Sequence, residues 1–321
     1  MNSTISDAKK LPVKMYSKKT FFEKVFKYKT LLLMLLPVCL FYLVFAYFPM
    51  VGVILAFKQY DYQAGIFGSE WIGLSNFKFF FVSGQAWTVT RNTVLYNMAF
   101  ITVNTVLQVS VAIILSEIKS KWYRKAAQTS IFFPYFISWV VVSGLVYNLF
   151  SYDYGVLNNL LKLFGQGPVN VYATPHVWPI IIVIFNAWKG VGYGSVVYLA
   201  SITGMDTSIY EAAEIDGANI FQRIWYITLR GLVPTIITMV LLALGQVFRG
   251  NLDMFYQMVG SNGLLYNYTD VIDTFTFRTL FFSKEVGMSA AVGFYQSLMC
   301  FGFIMLMNMV VKKIDSDSAL F

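Results

Sequence analysis

Six stretches of this chain are long and apolar enough to cross a lipid bilayer as helices, and that limits what the rest can be. The hydrocarbon core needs about 20 mostly apolar residues per helix. Inside it every backbone N–H and C=O must find its partner within the protein. The qualifying stretches are about 30–57, 90–116, 130–150, 177–202, 232–248 and 288–311. The fifth is short, and the fourth is interrupted by Lys189, Gly190, Gly192 and Gly194. The composition agrees: 57% of residues are hydrophobic and 12% charged, against about 25% charged in a soluble domain. The expected fold is an all-α membrane protein, a six-span helical bundle. The first apolar run is followed by no small-residue cleavage site, so it is expected to stay as an anchor rather than leave as a signal peptide.

Orientation follows from the Lys/Arg asymmetry of short loops. Lys9, Lys10, Lys14, Lys18, Lys19, Lys24, Lys27 and Lys29 precede the first span. Lys119, Lys121, Arg124 and Lys125 follow the second, Arg223 and Arg230 follow the fourth, and Lys312 and Lys313 follow the sixth. The alternate loops carry fewer: Lys58 and Lys78, then Lys162, then Arg249, Arg278 and Lys284. Both termini and the loop after the fourth span are therefore expected in the cytoplasm, which requires an even number of spans. The net charge of +8 reports this orientation rather than nucleic-acid binding. Trp71, Trp87, Trp122, Trp139 and Trp178 fall near span ends, where amphipathic rings favour the membrane interface.

The polar loop between spans four and five is unusual in so apolar a chain. Asp206, Thr207 and Ser208 offer N-cap side chains, and Ser208 with Glu211 has capping-box spacing. Glu211 and Glu214 lie near the N-terminal, positive end of this helix. Gly217 is placed to end it in the left-handed conformation, and Asn219 to cap a second helix, on which Phe221, Ile224, Trp225 and Thr228 share a face. Pro234 then opens the next span near its first turn. From the residues alone two readings stay open: a helix pair lying on lipid headgroups, or an element that docks on a partner.

The sequence Tyr210-Glu211-Ala212-Ala213-Glu214-Ile215-Asp216-Gly217, followed by Ile227-Thr228-Leu229 and Pro234, resembles the EAA loop of permease subunits from binding-protein-dependent ABC importers, in their sugar-importing branch. Asp270-Val-Ile-Asp273-Thr-Phe-Thr-Phe-Arg278 and Ala319-Leu320-Phe321 resemble the subgroup that imports oligosaccharides released from plant or algal polysaccharides. One departure is local: the family has Pro after the Ile-Thr-Leu triplet, and this chain has Arg230, so the second helix is expected to run further before breaking. The resemblance implies a type I ABC importer permease with a basic N-terminal segment 1–29, a six-helix permease domain 30–311 containing a coupling loop at about 203–231, and a tail 312–321. It implies that the loop forms cytoplasmic coupling helices on an ABC ATPase dimer. Glu211 pairs with a basic ATPase residue, Ala212, Ala213 and Ile215 pack closely, Asp216 lies at the turn, and Gly217 sets the angle. Further implied partners are a second, sister permease and an extracytoplasmic sugar-binding protein. The implied location is the bacterial cell membrane, multi-pass. The chain carries no GxxxxGK[ST] phosphate-binding motif, so ATP is hydrolysed by a partner and no cofactor of its own is expected.

Polar groups inside spans are costly in lipid and are expected to face the interior. Asn186, Trp188, Lys189, Tyr193 and Tyr198 on the fourth span are the candidates for a sugar path. The glycines beside them permit either a kink or close helix approach, and Lys189 either lines the path or snorkels to the interface. Asn97, Asn104 and Gln108 are read as interhelical hydrogen-bonding groups, Gln246 as closing the fifth span and Arg249 as an interfacial anchor. No Asp or Glu lies at the depth of Lys189 in any expected span, which motivates a substrate carboxylate as its partner and a cargo containing uronic acid. His176, the only histidine, is read as a loop residue. With Cys39 and Cys300 both in apolar runs, neither metal nor disulfide chemistry is indicated. An intramembrane enzyme would need paired carboxylates, a Ser/His pair or a metal cluster within the spans. The remaining alternatives are a channel, a scaffold and a proton-coupled secondary transporter, the last opposed by the confinement of Asp and Glu to loops and span ends. A neighbouring gene for an ATPase or a sugar-binding lipoprotein discriminates among them.

Overall fold

The structure is a computed structural model that describes residues 28–314. The basic segment before Tyr28 and the stretch 315–321, including Ala319-Leu320-Phe321, lie outside the described residues. The chain divides into two units, at Gly52/Val53. The first holds most of α1, the apolar helical run Lys29–Phe57. The second contains a two-residue antiparallel β1–β2 pair, Lys58–Gln59 with Glu70–Trp71, and then α2 (Ser75–Val82), α3 (Gln85–Glu117), α4 (Lys121–Phe132), α5 (Trp139–Phe150), α6 (Val156–Leu163) and α7 (Trp178–Thr203). After these come α8 (Thr207–Ile215), α9 (Ile220–Leu244), α10 (Leu252–Val259), α11 (Ile272–Phe281) and α12 (Val286–Ile314).

Five of the expected spans appear as unbroken helices: α1, α3, α7, α9 and α12. The third does not. Residues 130–150 are split between Lys121–Phe136 and Trp139–Phe150, which meet at 94°. The cause is local. Pro134 cannot donate a backbone hydrogen bond, the last turn of α4 tightens into a 3₁₀ turn at Phe133–Phe136, and Ile137 and Ser138 are extended, with ψ of 130° and 153°. Ser138 then restarts the helix by accepting from the Val141 N–H. Counting the bent pair as one span gives six.

The fifth span also begins earlier than expected. The second amphipathic helix of the loop is not separate from it: Ile220–Leu244 is one continuous helical run, with a π-helical turn at Ile224–Thr228. Pro234 lies inside that run instead of opening it. The extra residue in the π turn rotates the surface. Thr228 and Ile224 turn inward, whereas Phe221 and Trp225 stay exposed, so the four do not share one buried face. Trp139 and Trp178 are buried rather than interfacial. The Trp178 indole donates to the Val171 carbonyl at 3.1 Å. Trp71, Trp87 and Trp122 are exposed, as interface anchors are.

Helix α7 continues unbroken through its glycines, and two of them serve close approach. A Cβ at Gly192 would fall on the backbone of Ile131 and Phe132, and one at Gly194 on the Gln108 side chain. Gly190 has only Asn104 Oδ1 at 4.0 Å. Two buried clusters flank this region. One joins Tyr96, Trp139, Val142, Trp178, Ile182 and Phe255; the other joins Val109, Ala112, Leu115, Tyr198, Leu199 and Leu232.

Overpacking of this kind costs about 1–3 kcal/mol. Gly192→Ala is therefore expected to lower the thermal midpoint of the detergent-solubilised protein, and Gly190→Ala to leave it unchanged. Equal midpoints for the two variants would contradict the close approach at Gly192.

Candidate functional site

Along α3 the buried apolar residues stop at Tyr96, with half-buried Phe100 packed beyond it, and resume at Val109; the polar residues cluster in the stretch between. Asn97, Asn104, Thr105 and Gln108 sit there, and opposite them on α7 are Asn186, Gly190, Tyr193 and Gly194. Together with Tyr135, Tyr198, Met239, Gln246, Arg249 and Asn251 they enclose an open cavity of about 760 Å³. A second cavity of about 630 Å³ shares Asn104, Tyr135, Asn186, Gly190 and Asn251, and adds Trp139, Lys189 and Asp253. A cavity that sets amides and tyrosines among apolar side chains suits a sugar, which carries both hydroxyls and apolar ring faces: amides both donate and accept, and aromatic rings offer flat apolar faces.

The amides also hold helices together. Asn97 donates to the carbonyls of Val247 and Arg249, each at 3.0 Å, and Asn104 donates to Asn186 Oδ1 at 2.9 Å. The interhelical role expected for Asn97 and Asn104 is thus present, and both line the cavity as well. Asn104 Oδ1 is buried without a hydrogen-bond partner. Tyr193 stacks on Tyr135 with centroids 4.3 Å apart and planes within 8°.

Of the five path candidates, Asn186, Lys189, Tyr193 and Tyr198 reach the cavities. Trp188 does not: it is exposed on the outer face of α7, edge-on to Phe185 at 6.1 Å. The premise that Lys189 lacks a partner is also overturned. Its ammonium donates to the Tyr135 carbonyl in the break between α4 and α5, and lies 5.3 Å and 5.5 Å from the Tyr135 and Trp139 rings. Asp253 lines the same cavity. It escaped the sequence reading because it follows the fifth span on α10, which folds back beside α5 and α7. Arg249 and Gln246 line the larger cavity, so Arg249 is not merely an interfacial anchor. Tyr135 carried no sequence signal beyond its place after Pro134. His176 is an exposed loop residue.

The acidic loop is a second surface. Asp206 is the N-cap of α8: its carboxylate accepts from the Ser208 N–H at 2.9 Å, and that backbone hydrogen bond holds its pKa below the usual carboxylate value. The expected Ser208–Glu211 capping box is therefore absent, since Ser208 already lies one turn position inside the helix. Gly217 has φ +77°, Ala218 N–H bonds to the Ala213 carbonyl, and Gly217 N–H to that of Glu214. This is the paired hydrogen-bond pattern of a glycine-terminated helix. Asn219 and Gln222 then cap each other's backbone at 3.0 Å and 2.8 Å. Tyr210 ties α8 to α9 through a 3.0 Å hydrogen bond with Thr228, and Arg223 pairs with Glu214 at 3.4 Å.

The remaining side chains point outward. Ile215 is 87% and Phe221 79% exposed, and Glu211, Ala212, Asp216 and Gly217 are exposed while Ala213 is half-buried. The Glu211 carboxylate has no partner among the described residues. Arg230, in place of the usual proline, is exposed over the Tyr226 ring at 5.5 Å.

Residues 108–316 match the family described as binding-protein-dependent transport system inner membrane component. The chain belongs to this family. The permease is similar to the polygalacturonan/rhamnogalacturonan transport system permease protein YteP of Bacillus subtilis (29% identical, covering 94% of this chain and 93% of that one). It is also similar to the protein LplB of the same organism (32%, 90% of each). Among solved structures it resembles a bacterial ABC transporter involved in the import of the acidic polysaccharide alginate, with TM-score 0.83, 30% identity, and 92% of this chain and 100% of that one covered. A bacterial alginate ABC transporter in complex with an alginate pentasaccharide-bound periplasmic protein gives 0.82 at 30% identity, over 92% of this chain and 98% of that one. This permease is accordingly a multi-pass membrane component of a type I ABC importer.

The Asp-Val-Ile-Asp…Arg stretch read as a subgroup mark is a structural brace. Asp270 is buried and pairs with Arg278, which stacks on Tyr266 at 4.0 Å. Asp273 accepts from the Gly250 N–H and from Gln296 at 2.8 Å.

A β-branched residue is strained at positive φ, whereas Asn tolerates it. Gly217→Val is therefore expected to abolish uptake and Gly217→Asn to retain most of it. Uptake unchanged in the Val variant would mean that the left-handed turn is dispensable.

Proposed function

We propose that this permease forms half of the translocation path of an ATP-driven importer for acidic oligosaccharides. An extracytoplasmic sugar-binding protein delivers the cargo, a sister permease supplies the other half, and a cytoplasmic ABC ATPase dimer supplies the energy. The observation that carries this reading is the single helix α7: its middle lines an amide- and tyrosine-rich cavity, and its end is capped directly into the exposed Asp206–Gly217 turn. The relatives' cargoes, polygalacturonan, rhamnogalacturonan and alginate, support the acidic class. In this reading Glu211 and the exposed Ile215 enter the ATPase surface, Ala212 and Ala213 allow close approach, Asp216 and Gly217 form the turn, and both termini lie in the cytoplasm of a bacterial cell. In this reading the ATP is hydrolysed by the partner ATPase, since this sequence carries no GxxxxGK[ST] phosphate-binding loop.

Closure of the ATPases on ATP moves docked helices. Because Tyr210 and Thr228 bind α8 to α9, and Asp206 caps it at the end of α7, a displacement of the loop is transmitted to both spans. The cavity wall thus belongs to a two-state element biased by nucleotide.

Removing one member of a partly buried charged pair costs about 2–5 kcal/mol at an interface. Glu211→Ala is therefore expected to lose uptake and ATPase co-purification while inserting into the membrane normally. Wild-type uptake with intact ATPase recovery would sink the docking role. Lys189 holds the Tyr135 carbonyl, so Lys189→Met is expected to impair acidic and neutral oligosaccharides alike. Selective loss of the acidic ones would show instead that this ammonium reads substrate charge.

A further inference from the structure

We infer that Arg249 is the residue of this permease that reads the carboxylate of its cargo during passage; the inference rests on the acidic-oligosaccharide reading above. Arg249 lines the larger cavity and is exposed; its side chain touches the Cys300 thiol and lies within electrostatic reach of Asp273, but it forms no close ion pair among the described residues. The carboxylates around it have other hydrogen-bond or ion-pair partners, although Asp273 still feels the Arg249 charge. Asp273 accepts from Gly250 N–H and Gln296 Nε2, and Asp253 shares the smaller cavity with Lys189. Asp270 is buried against Arg278. The other cation near the path, Lys189, is half-buried and already donates to the Tyr135 carbonyl between two rings. Arg249 is thus a cation on the larger cavity's wall with no carboxylate in close ion-pair contact among the described residues, and a guanidinium stays charged and fits a carboxylate with two parallel hydrogen bonds.

The backbone that carries it is fixed from two sides. The Arg249 carbonyl accepts from Asn97 on α3 at 3.0 Å, and the next N–H, that of Gly250, is held by Asp273 on α11. Gly250 has no room for a side chain, since a Cβ would stand 2.7 Å from Val271 and 2.9 Å from Asp273. Such braced placement is what a selective contact needs. The brace is made by backbone groups, so the Arg249 side chain can be changed without removing it.

The amides around it suit the hydroxyls that acidic and neutral sugars share. Arg249 adds the one contact that separates the two classes. Leaving a cargo carboxylate unpaired in the path slows its passage, whereas a neutral ester loses nothing.

The test uses the complete importer, with sister permease, ATPase and binding protein, in proteoliposomes. The probes are trigalacturonate and its methyl ester, and the variants Arg249→Gln and Arg249→Lys. Loss of a charge-assisted pair predicts that Arg249→Gln lowers trigalacturonate uptake about 10-fold or more, leaves ester uptake within about 2-fold, and that Arg249→Lys keeps trigalacturonate uptake within about 3-fold. Equal loss of both sugars in Arg249→Gln, equal loss of trigalacturonate in the Gln and Lys variants, or no loss at all overturns the assignment to Arg249. A wild-type importer that does not take up trigalacturonate, or prefers the ester, contradicts the acidic-oligosaccharide reading and the inference falls with it.

Discussion

The close approach of α7 to its neighbours through Gly192 and Gly194 is the contact on which the rest of this architecture depends. With lipid on the outside, helices gain nothing from burying leucines against one another and associate by packing and interhelical hydrogen bonds. Small residues let the backbone of α7 come against Ile131 and Phe132, and leave the Gln108 side chain the space beside Gly194. Once α3 and α7 are held at that distance, their polar residues are brought together at mid-length. The gap that amides and tyrosines do not fill is the cavity. The same contact fixes the break after α4, because Lys189, one turn before Tyr193, holds the carbonyl of Tyr135 there.

A helix fixed at its middle can report motion at its end. α7 passes through Gly204 and Met205 into the Asp206 cap, and α8 is bound to α9 by the Tyr210–Thr228 hydrogen bond, as α7 is by Ser201 and Thr235 at 2.9 Å. The exposed turn at Gly217 is therefore not a loose loop. Its helix ends are hydrogen-bonded by glycine termination and mutual capping, which leaves the apolar side chains of Ile215 and Phe221 in solvent. Exposed apolar groups on a rigid scaffold, beside an unpartnered carboxylate, have the character of a docking surface.

Much of this was legible in the residues. Five spans were readable because lipid imposes length and apolarity on a helix without regard to tertiary context, and the Gly217 turn and the Asn219 cap were readable because both are local. What was misread depended on packing or on shifts of one residue. Pro134 sits in an apolar run that looks continuous, so its break was hidden. The π turn at Ile224–Thr228 adds a residue and separates Phe221 and Trp225 from the buried face. Trp188 and Lys189 are adjacent in sequence but lie on different faces of α7, and only the second meets the cavity. Asp253 and Arg249 follow the fifth span, and it takes the folding back of α10 and α11 to place them on the cavity walls. The candidate site was thus visible as a set of polar residues in α3 and α7, Lys189 among them, whereas Arg249 and Asp253 came from outside the expected spans.

The central claim is that this chain carries sugar through a cavity whose access is driven by nucleotide on the side of the Glu211 loop. The direct measurement is sugar accumulation in proteoliposomes containing the complete importer, with loaded binding protein on one side and ATP on the other. The account predicts accumulation against a gradient only when ATP is on the Glu211 side and binding protein is on the opposite side. Equilibration without ATP, or accumulation driven by a proton gradient alone, would contradict it.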